Sequence, residues 1–325
     1  MVSMLGFDLS GRRIWVAGHR GMVGSALCRR LESEKCEVIT VDRELVDLRR
    51  QSDVEEWMSN AHADVVVIAA ATVGGIKAND SRPAEFLYDN LLIETNIIHS
   101  AWRLGLDKLL LLGSTCIYPR LAPQPIAEDS LLTGPLEPTN EWYAIAKIAG
   151  IKLCDAYRRQ YGCDFVSAQP ANLYGPHDNF DLQSGHVLPA LMRKIHDANV
   201  SRAQKVEIWG TGNPLREFLH VDDLADALVF LLRHYNQSGQ INVGSGEEVS
   251  IAKLAEMIGE VVGYTGEFSF APDKPDGPPR KLADSRRLKA MGWQPQTRLV
   301  EGLQSTYRWD LDSTQRSQTT LPPTT

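Results

Sequence analysis

From Arg13 to Gln169 the chain alternates two hydrophobic patterns. Short apolar runs occur at Arg13–Ala17, Val38–Val41, Val65–Ala71, Leu109–Leu112 and Phe165–Gln169, rich in branched residues and without polar alternation. Strands buried on both faces read this way. Between the runs, Val23, Ala26, Leu27 and Leu31 recur at helical spacing, and residues 84–103 and 141–161 read as long helices. Repeated β-α units predict an α/β chain with a doubly wound parallel sheet and right-handed crossovers.

After about residue 170 the alternation breaks up. Loops are expected around 174–185 and 210–218, and a helix over Val221–Arg233. Ser250 can cap a further helix whose apolar positions 251, 254, 255, 258, 261 and 262 share one face. A Pro/Gly-rich segment follows at 272–280. The expected organisation is a dinucleotide-binding domain over 1–175, to which later segments return, then a smaller mixed α/β lobe over 176–312. The polar tail 313–325 is expected to be disordered, because it offers little to bury.

Bulk composition narrows the function classes. With 325 residues, 43% hydrophobic and 23% charged, the chain has the make-up of a soluble globular protein. A formal net charge of −7 argues against a general nucleic-acid-binding surface. No apolar run approaches a membrane span, and Met1–Arg13 lacks the pattern of a secretory signal. The five cysteines, at 28, 36, 116, 154 and 163, form no C-x-x-C pair. That disfavours a disulfide framework or a metal site and fits a reducing, cytoplasmic setting.

Chemistry enters directly after the first strand. Gly18, Gly21 and Gly24 stand in G-x-x-G-x-x-G spacing where a helix begins. Glycine is needed there for a tight turn, for close backbone approach to a pyrophosphate and for close helix–sheet packing. The helix start then directs N–H groups and its positive end at the phosphates. The second strand ends in Asp42 and Arg43. Asp42 would hold a ribose 2′-OH and favour NAD, whereas Arg43 with Arg20 would clamp the 2′-phosphate of NADP. The two arginines make NADP the expected cofactor.

A second constellation lies downstream. Ser114 and Cys116 follow the fourth strand, at the carboxyl edge where open α/β sheets bind ligands. A persisting pleat would point both side chains the same way. The bland reading of Cys116 is a small apolar residue closing a strand. Tyr143 and Lys147 lie about one helical turn apart. A neighbouring ammonium would lower the phenol's pKa toward neutrality, and Ser114 could bond the substrate oxygen that Tyr143 protonates. Glycine turn, strand-end serine and Y-x-x-x-K, in that order, suit a carbonyl-reducing nicotinamide site.

Longer segments carry a resemblance. They are G-H-R-G-M-V-G-S-A (18–26), V-G-G-I-K-A-N (73–79), G-S-T-C-I-Y-P (113–119), L-E-P-T-N-E-W-Y-A-I-A-K-I-A-G-I-K-L-C (136–154), N-L-Y-G-P-H-D-N-F (172–180), G-H-V-L-P-A-L (185–191), R-E-F-L-H-V-D-D (216–223) and K-P-D-G-P-P-R-K-L (274–282). From about Arg13 to Trp309 the chain resembles the extended short-chain dehydrogenase/reductases. Within them it resembles the branch that epimerises and reduces GDP-4-keto-6-deoxy sugars.

The resemblance implies a Rossmann domain and NADPH-dependent reduction at C4 of GDP-4-keto-6-deoxy-D-mannose, with epimerisation at C3 and C5. It implies Ser114, Tyr143 and Lys147 for the reduction, and Cys116 and His186 as the epimerising pair. The implied cofactor contacts add Met22, Val23, Leu112, Gly113, Lys147, Pro170, Asn172, Leu173 and His186. The second lobe would offer the GDP-sugar Lys194, Trp209, Arg216, Asp276 and Lys281. Their bland readings are lobe core for Trp209 and solvated faces for the lysines. A homodimer through helices near 85–103 and 141–160 is also implied. Alternatives are a branch that epimerises C5 alone, an epimerase that retains NAD, and a non-catalytic dinucleotide sensor. The sensor is disfavoured because Ser114, Tyr143 and Lys147 are all present.

Overall fold

The computed structural model describes residues 6–182, 184–274 and 276–319. Its first half runs β1 (Arg13–Ala17), α1 (Met22–Leu31), β2 (Glu37–Ile39), α2 (Gln51–Ala61), β3 (Val65–Ile68), α3 (Ile76–Ser81), α4 (Pro83–Arg103), β4 (Lys108–Leu112), α5 (Glu141–Tyr161) and β5 (Phe165–Pro170). Its second half runs β6 (Asn172–Tyr174), α6 (Val187–Val200), β7 (Lys205–Trp209), β8 (Leu215–His220), α7 (Val221–His234) and β9 (Gln240–Val243). It closes with β10 (Glu248–Ser250), α8 (Ile251–Val262), β11 (Glu267–Ala271), β12 (Arg280–Lys281), α9 (Arg286–Ala290) and α10 (Leu299–Thr319).

Six strands form one sheet in the order β2-β1-β3-β4-β5-β9, with every pair parallel. Alternate residues of each strand feed opposite cores. Ile14, Val16, Val65, Val67 and Leu110 pack with α1 and α7, while Trp15, Ala17, Val66, Ile68, Leu109 and Leu111 pack with α2, α4 and α5. Because both faces are dry, the strand interiors cannot alternate with polar residues. The strand order reverses between β1 and β3, which opens a crevice at their carboxyl ends.

Several elements differ from the expectation. The third strand stops at Ile68 and the second covers 37–39. Ala69–Ala71 leave the sheet, and a Cβ on Gly18 would lie 2.6 Å from Ala70 N. The stretch 210–218 is not all loop, since β8 lies between β10 and β12 and also pairs with β6. Its charged Glu217 hid that strand. The carboxylate is buried because it accepts the Gly246 N–H at 2.7 Å and the Ala283 N–H at 2.9 Å.

The sixth strand, β9, also went unseen because it carries Gln240 and Asn242. Both are buried with partners: Asn242 accepts from the Tyr118 hydroxyl at 2.6 Å and donates to Ile126 O at 2.9 Å. Thus α7 and β9 return to the first domain. The smaller lobe packs α6, α8 and α10 around Leu188, Met192, Ile195, Leu254, Ile258 and Leu303. α10 runs through Thr319, its first half anchored by buried Leu303 and Thr306. Residues 320–325 lie outside the described residues.

Candidate active site

The crevice is a cleft of about 990 Å³ between the sheet's carboxyl edge and the smaller lobe. The glycine turn forms one end. Gly18 takes φ +91°, and a Cβ on Gly24 would overlap Gly18 O and stand 2.7 Å from the Gly18 carbonyl carbon and His19 Cα. Gly21 is the N-cap of α1 and no side chain caps it, so the first-turn N–H groups are left to the cleft. Arg20, Met22, Val23 and Arg43 line the same end. Asp42 instead turns to protein groups, with Arg20 Nη2 at 2.5 Å and His19 Nε2 at 3.2 Å. An uncapped helix start, a backbone notch and two arginines fit a phosphorylated dinucleotide.

At the middle of the cleft, β4 ends at Leu112. A Cβ on Gly113 would overlap Gln169 Oε1, the oxygen that accepts the Ser114 N–H at 2.9 Å. The pleat does not persist beyond this point. Thr115–Ile117 coil into a 3₁₀ turn capped by Ser114, whose Oγ accepts the Cys116 N–H at 3.2 Å. The turn nonetheless brings Ser114 and Cys116 to the cleft together.

Two donors face the Cys116 sulfur: Lys281 Nζ at 3.4 Å and Asn140 Nδ2 at 3.4 Å. Burial pushes this thiol up, but Lys281, Ser114 and Asn140 together outweigh it and hold the thiol below its ordinary value. His186, the N-cap residue of α6, lines the cleft. The low-dielectric walls around it, and then Lys281, push its pKa down and favour neutral imidazole.

Tyr143 and Lys147 share the cleft face of α5, with the ammonium 5.7 Å from the phenol ring centroid. Lys147 is 2% exposed and donates to Leu112 O at 2.9 Å. Its charge meets Glu94 Oε1, on α4, at 2.8 Å. The expected lowering of the phenol is reversed. Burial holds Tyr143 well above its ordinary value, and the charges of Cys116 and Glu94 add to that.

The smaller lobe closes the far end. Lys194 Nζ donates to Glu207 O at 2.5 Å, and Arg216 donates to Leu215 O at 2.8 Å and to Asp276 O at 3.3 Å. Asp276 accepts the N–H and hydroxyl of Thr211 at 2.7 and 2.8 Å, so its carboxylate braces the 210–212 turn. Trp209 is 61% exposed, which makes it a wall of the cleft rather than lobe core. The Asn172 amide donates to Glu217 O at 2.8 Å, and Pro170, Asn172 and Leu173 line the cleft between the two ends. Among the described residues no group of three or more His, Cys, Asp or Glu side chains is placed to hold a metal. Among the described residues no helix is long and apolar enough to cross a membrane.

Sequence reasoning passed over Glu94, Asn140 and Gln169. Glu94 carried a signal: a carboxylate on the buried stripe of Phe86, Ile93, Ile97 and Ala101 needs a buried partner. Asn140, three residues before Tyr143, carried none. Gln169 was read as the polar end of an apolar strand.

The model of the NAD dependent epimerase/dehydratase family matches residues 14–244. The chain is 58% identical over 299 residues to a GDP-L-fucose synthase of Sinorhizobium fredii, a span covering 92% of this chain and 95% of that one. A GDP-L-colitose synthase of Yersinia pseudotuberculosis is 36% identical over 302 residues, covering 92% of this chain and 98% of its own. Among solved structures, a GDP-L-fucose synthetase from Naegleria fowleri bound to NADP superposes with a TM-score of 0.89 at 28% identity, covering 97% of this chain and 99% of that one. The chain belongs to the NAD dependent epimerase/dehydratase family.

Proposed function

We propose that this cleft converts GDP-4-keto-6-deoxy-D-mannose to GDP-L-fucose, by epimerisation at C3 and C5 and NADPH-dependent reduction at C4. The observation that carries the reading is a thiol held low by Lys281 and Asn140 in the same cleft as Ser114, Tyr143 and Lys147. A plain ketone reductase has no use for such a thiol.

The C4 ketone acidifies the protons on C3 and C5. Cys116, as thiolate, removes a proton, and Ser114 and Tyr143 hold the enolate oxygen. His186, after taking a proton from solvent to become imidazolium, donates it from the opposite face and returns to neutral imidazole, and exchange with solvent resets the Cys116 thiol. NADPH supplies the hydride that reaches C4. Tyr143, still protonated at neutral pH, gives its phenolic proton to the C4 oxygen. Gly18, Gly21, Gly24, Met22 and Val23 form the pyrophosphate cradle, Arg20 and Arg43 hold the 2′-phosphate, and Leu112, Gly113, Pro170, Asn172, Leu173 and Lys147 shape the nicotinamide end. Arg216 and Lys194 face the GDP diphosphate and Trp209 packs against the guanosine, while Asp276 positions the turn beside them.

The test is incubation with the keto-sugar and NADPH in D₂O. The reading expects GDP-L-fucose with deuterium at C3 and C5 and one NADPH consumed per product. Cys116→Ser and His186→Asn should lose that deuterium while still binding NADPH, and unchanged exchange in both variants would remove them from the mechanism. Label at C5 alone, on a 3,6-dideoxy substrate, would indicate the colitose-type reaction.

Two copies pair, on this reading, through the outer faces of α4 and α5, which leave Tyr88 63% and Tyr161 48% exposed. A monomer in light scattering would contradict the pairing. The five free cysteines suit a reducing cytoplasm.

A further inference from the structure

The Glu94 carboxylate lies in the α4–α5 interface, 1% exposed. Gly150 of α5 makes its place: a Cβ there would overlap Glu94 Oε2, with Glu94 Cδ at 2.9 Å and Leu111 Cδ2 at 3.0 Å. Neither Glu94 oxygen takes a hydrogen bond of normal geometry, so the Lys147 ammonium at 2.8 Å is the charge that answers it. Lys147 is thus held between Leu112 O and Glu94, with Tyr143 one turn back on the same helix.

A buried pair of this kind is poor evidence of stabilisation, because desolvating both ions offsets most of their attraction. Its position gives it another consequence. A bare ammonium beside a phenol favours phenolate, and a phenolate cannot donate a proton to a ketone oxygen. The titratable groups interacting with Glu94 or Tyr143 are Cys116, after β4, and Cys154, on α5; burial pushes the Glu94 carboxyl up and Lys147 opposes it. The Cys154 thiol is itself pushed well up by burial and then by Glu94, so the field of Glu94 reaches both directions along α5.

We propose that Glu94 is a positioning residue: reaching through the notch at Gly150, it holds and screens the Lys147 ammonium and so keeps Tyr143 the proton donor of the C4 reduction. This rests on the reductase reading for its consequence, though not for its first measurement.

That measurement is the tyrosinate absorbance of the ligand-free protein across alkaline pH, with Tyr143 assigned by difference against Tyr143→Phe. In Glu94→Gln the Tyr143 transition should fall by about one pH unit or more. Gly150→Ala, which pushes the carboxylate out of its notch, should shift it the same way. Glu94→Asp keeps the charge and should titrate near the parent protein. Circular dichroism and NADPH binding check that each variant is folded.

The second measurement is single-turnover NADPH oxidation against pH. The alkaline limb should move down in Glu94→Gln and return in Glu94→Asp, while deuterium exchange at C3 and C5 keeps its pH dependence. Superimposable tyrosinate titrations of the parent and Glu94→Gln would overturn the proposal, as would an equal shift in Glu94→Asp. If the parent protein fails to reduce the keto-sugar, the reductase reading fails, and the tyrosinate titration still decides the role of Glu94.

Discussion

Substituting alanine at Gly24 and at Gly21 separates two jobs of the glycine turn. A methyl on Gly24 overlaps Gly18 O and stands 2.7 Å from two backbone carbons, Gly18 C and His19 Cα. Carbon atoms settle at about 3.5–4.0 Å, so the turn and helix must part by about 1 Å. Overpacking of this kind costs about 1–3 kcal/mol, and the helix propensity gained by alanine, at most about 1 kcal/mol, does not cancel it. Gly24→Ala should therefore lower the denaturation midpoint, and it should weaken NADPH binding at least tenfold because α1 is displaced from its phosphates. A methyl on Gly21 meets only Gly18 O, at 3.5 Å, and φ there is −74°, open to any residue. Gly21→Ala should leave stability within about 0.5 kcal/mol while filling the space a pyrophosphate needs. Urea unfolding and calorimetric titration with NADPH measure the two effects. A Gly24→Ala protein that unfolds and binds like the parent would refute the reasoning, as would a Gly21→Ala protein that loses stability but not affinity.

Two further outcomes follow from charge. Lys281→Met removes a cation 3.4 Å from the Cys116 sulfur, so burial's upward push on the thiol prevails; deuterium exchange at C3 and C5 should collapse at neutral pH and recover as pH rises, and a pH dependence matching the parent would contradict this. Asp178 is pushed up to about 7 by burial, against the Asn179 N–H, and its Oδ2 is buried without a partner. The folded state then holds a proton that the unfolded chain releases near pH 4, so stability falls as pH rises from about 4 to 7. Asp178→Asn should flatten that slope in urea unfolding measured across the range, and an unchanged slope would assign it elsewhere.

What the sequence disclosed depended on how each residue's environment is made. The parallel sheet was legible because strands dry on both faces leave unbroken apolar runs, and the glycine turn because Gly18 and Gly24 leave no room for a side chain. The strands at 215–220 and 240–243 were hidden for a common reason. Glu217 and Asn242 are buried polar residues whose partners, Gly246 and Ala283 in one case and Tyr118 and Ile126 in the other, come from remote segments. Such residues look like loop until the fold supplies the other half of each bond. The pairing of Asp42 with Arg20 and His19 was equally out of reach. An acidic residue just after β2 reads as a ribose ligand unless a nearby cation already occupies it.

The error about Tyr143 is more instructive than those omissions. Lysine four residues after tyrosine on a helix was expected to pull the phenol toward neutral pH, and taken as a pair they would behave so. On the proposed reading, however, the cleft runs two chemistries that ask opposite things of two neighbouring acids: the thiol has to lose its proton readily and the phenol has to keep it. Both residues lie beside a lysine, so proximity to a cation cannot distinguish them. The difference lies in what else each lysine meets. Lys281 faces the Cys116 sulfur, and its charge is felt there. Lys147 is claimed from behind by Glu94, and its charge is spent inside the α4–α5 interface. On the proposed reading, an epimerising base and a reducing acid coexist in one cleft because burial, with Glu94 behind Lys147 adding to it, keeps the Tyr143 phenol protonated, while Lys281 holds the Cys116 thiol down.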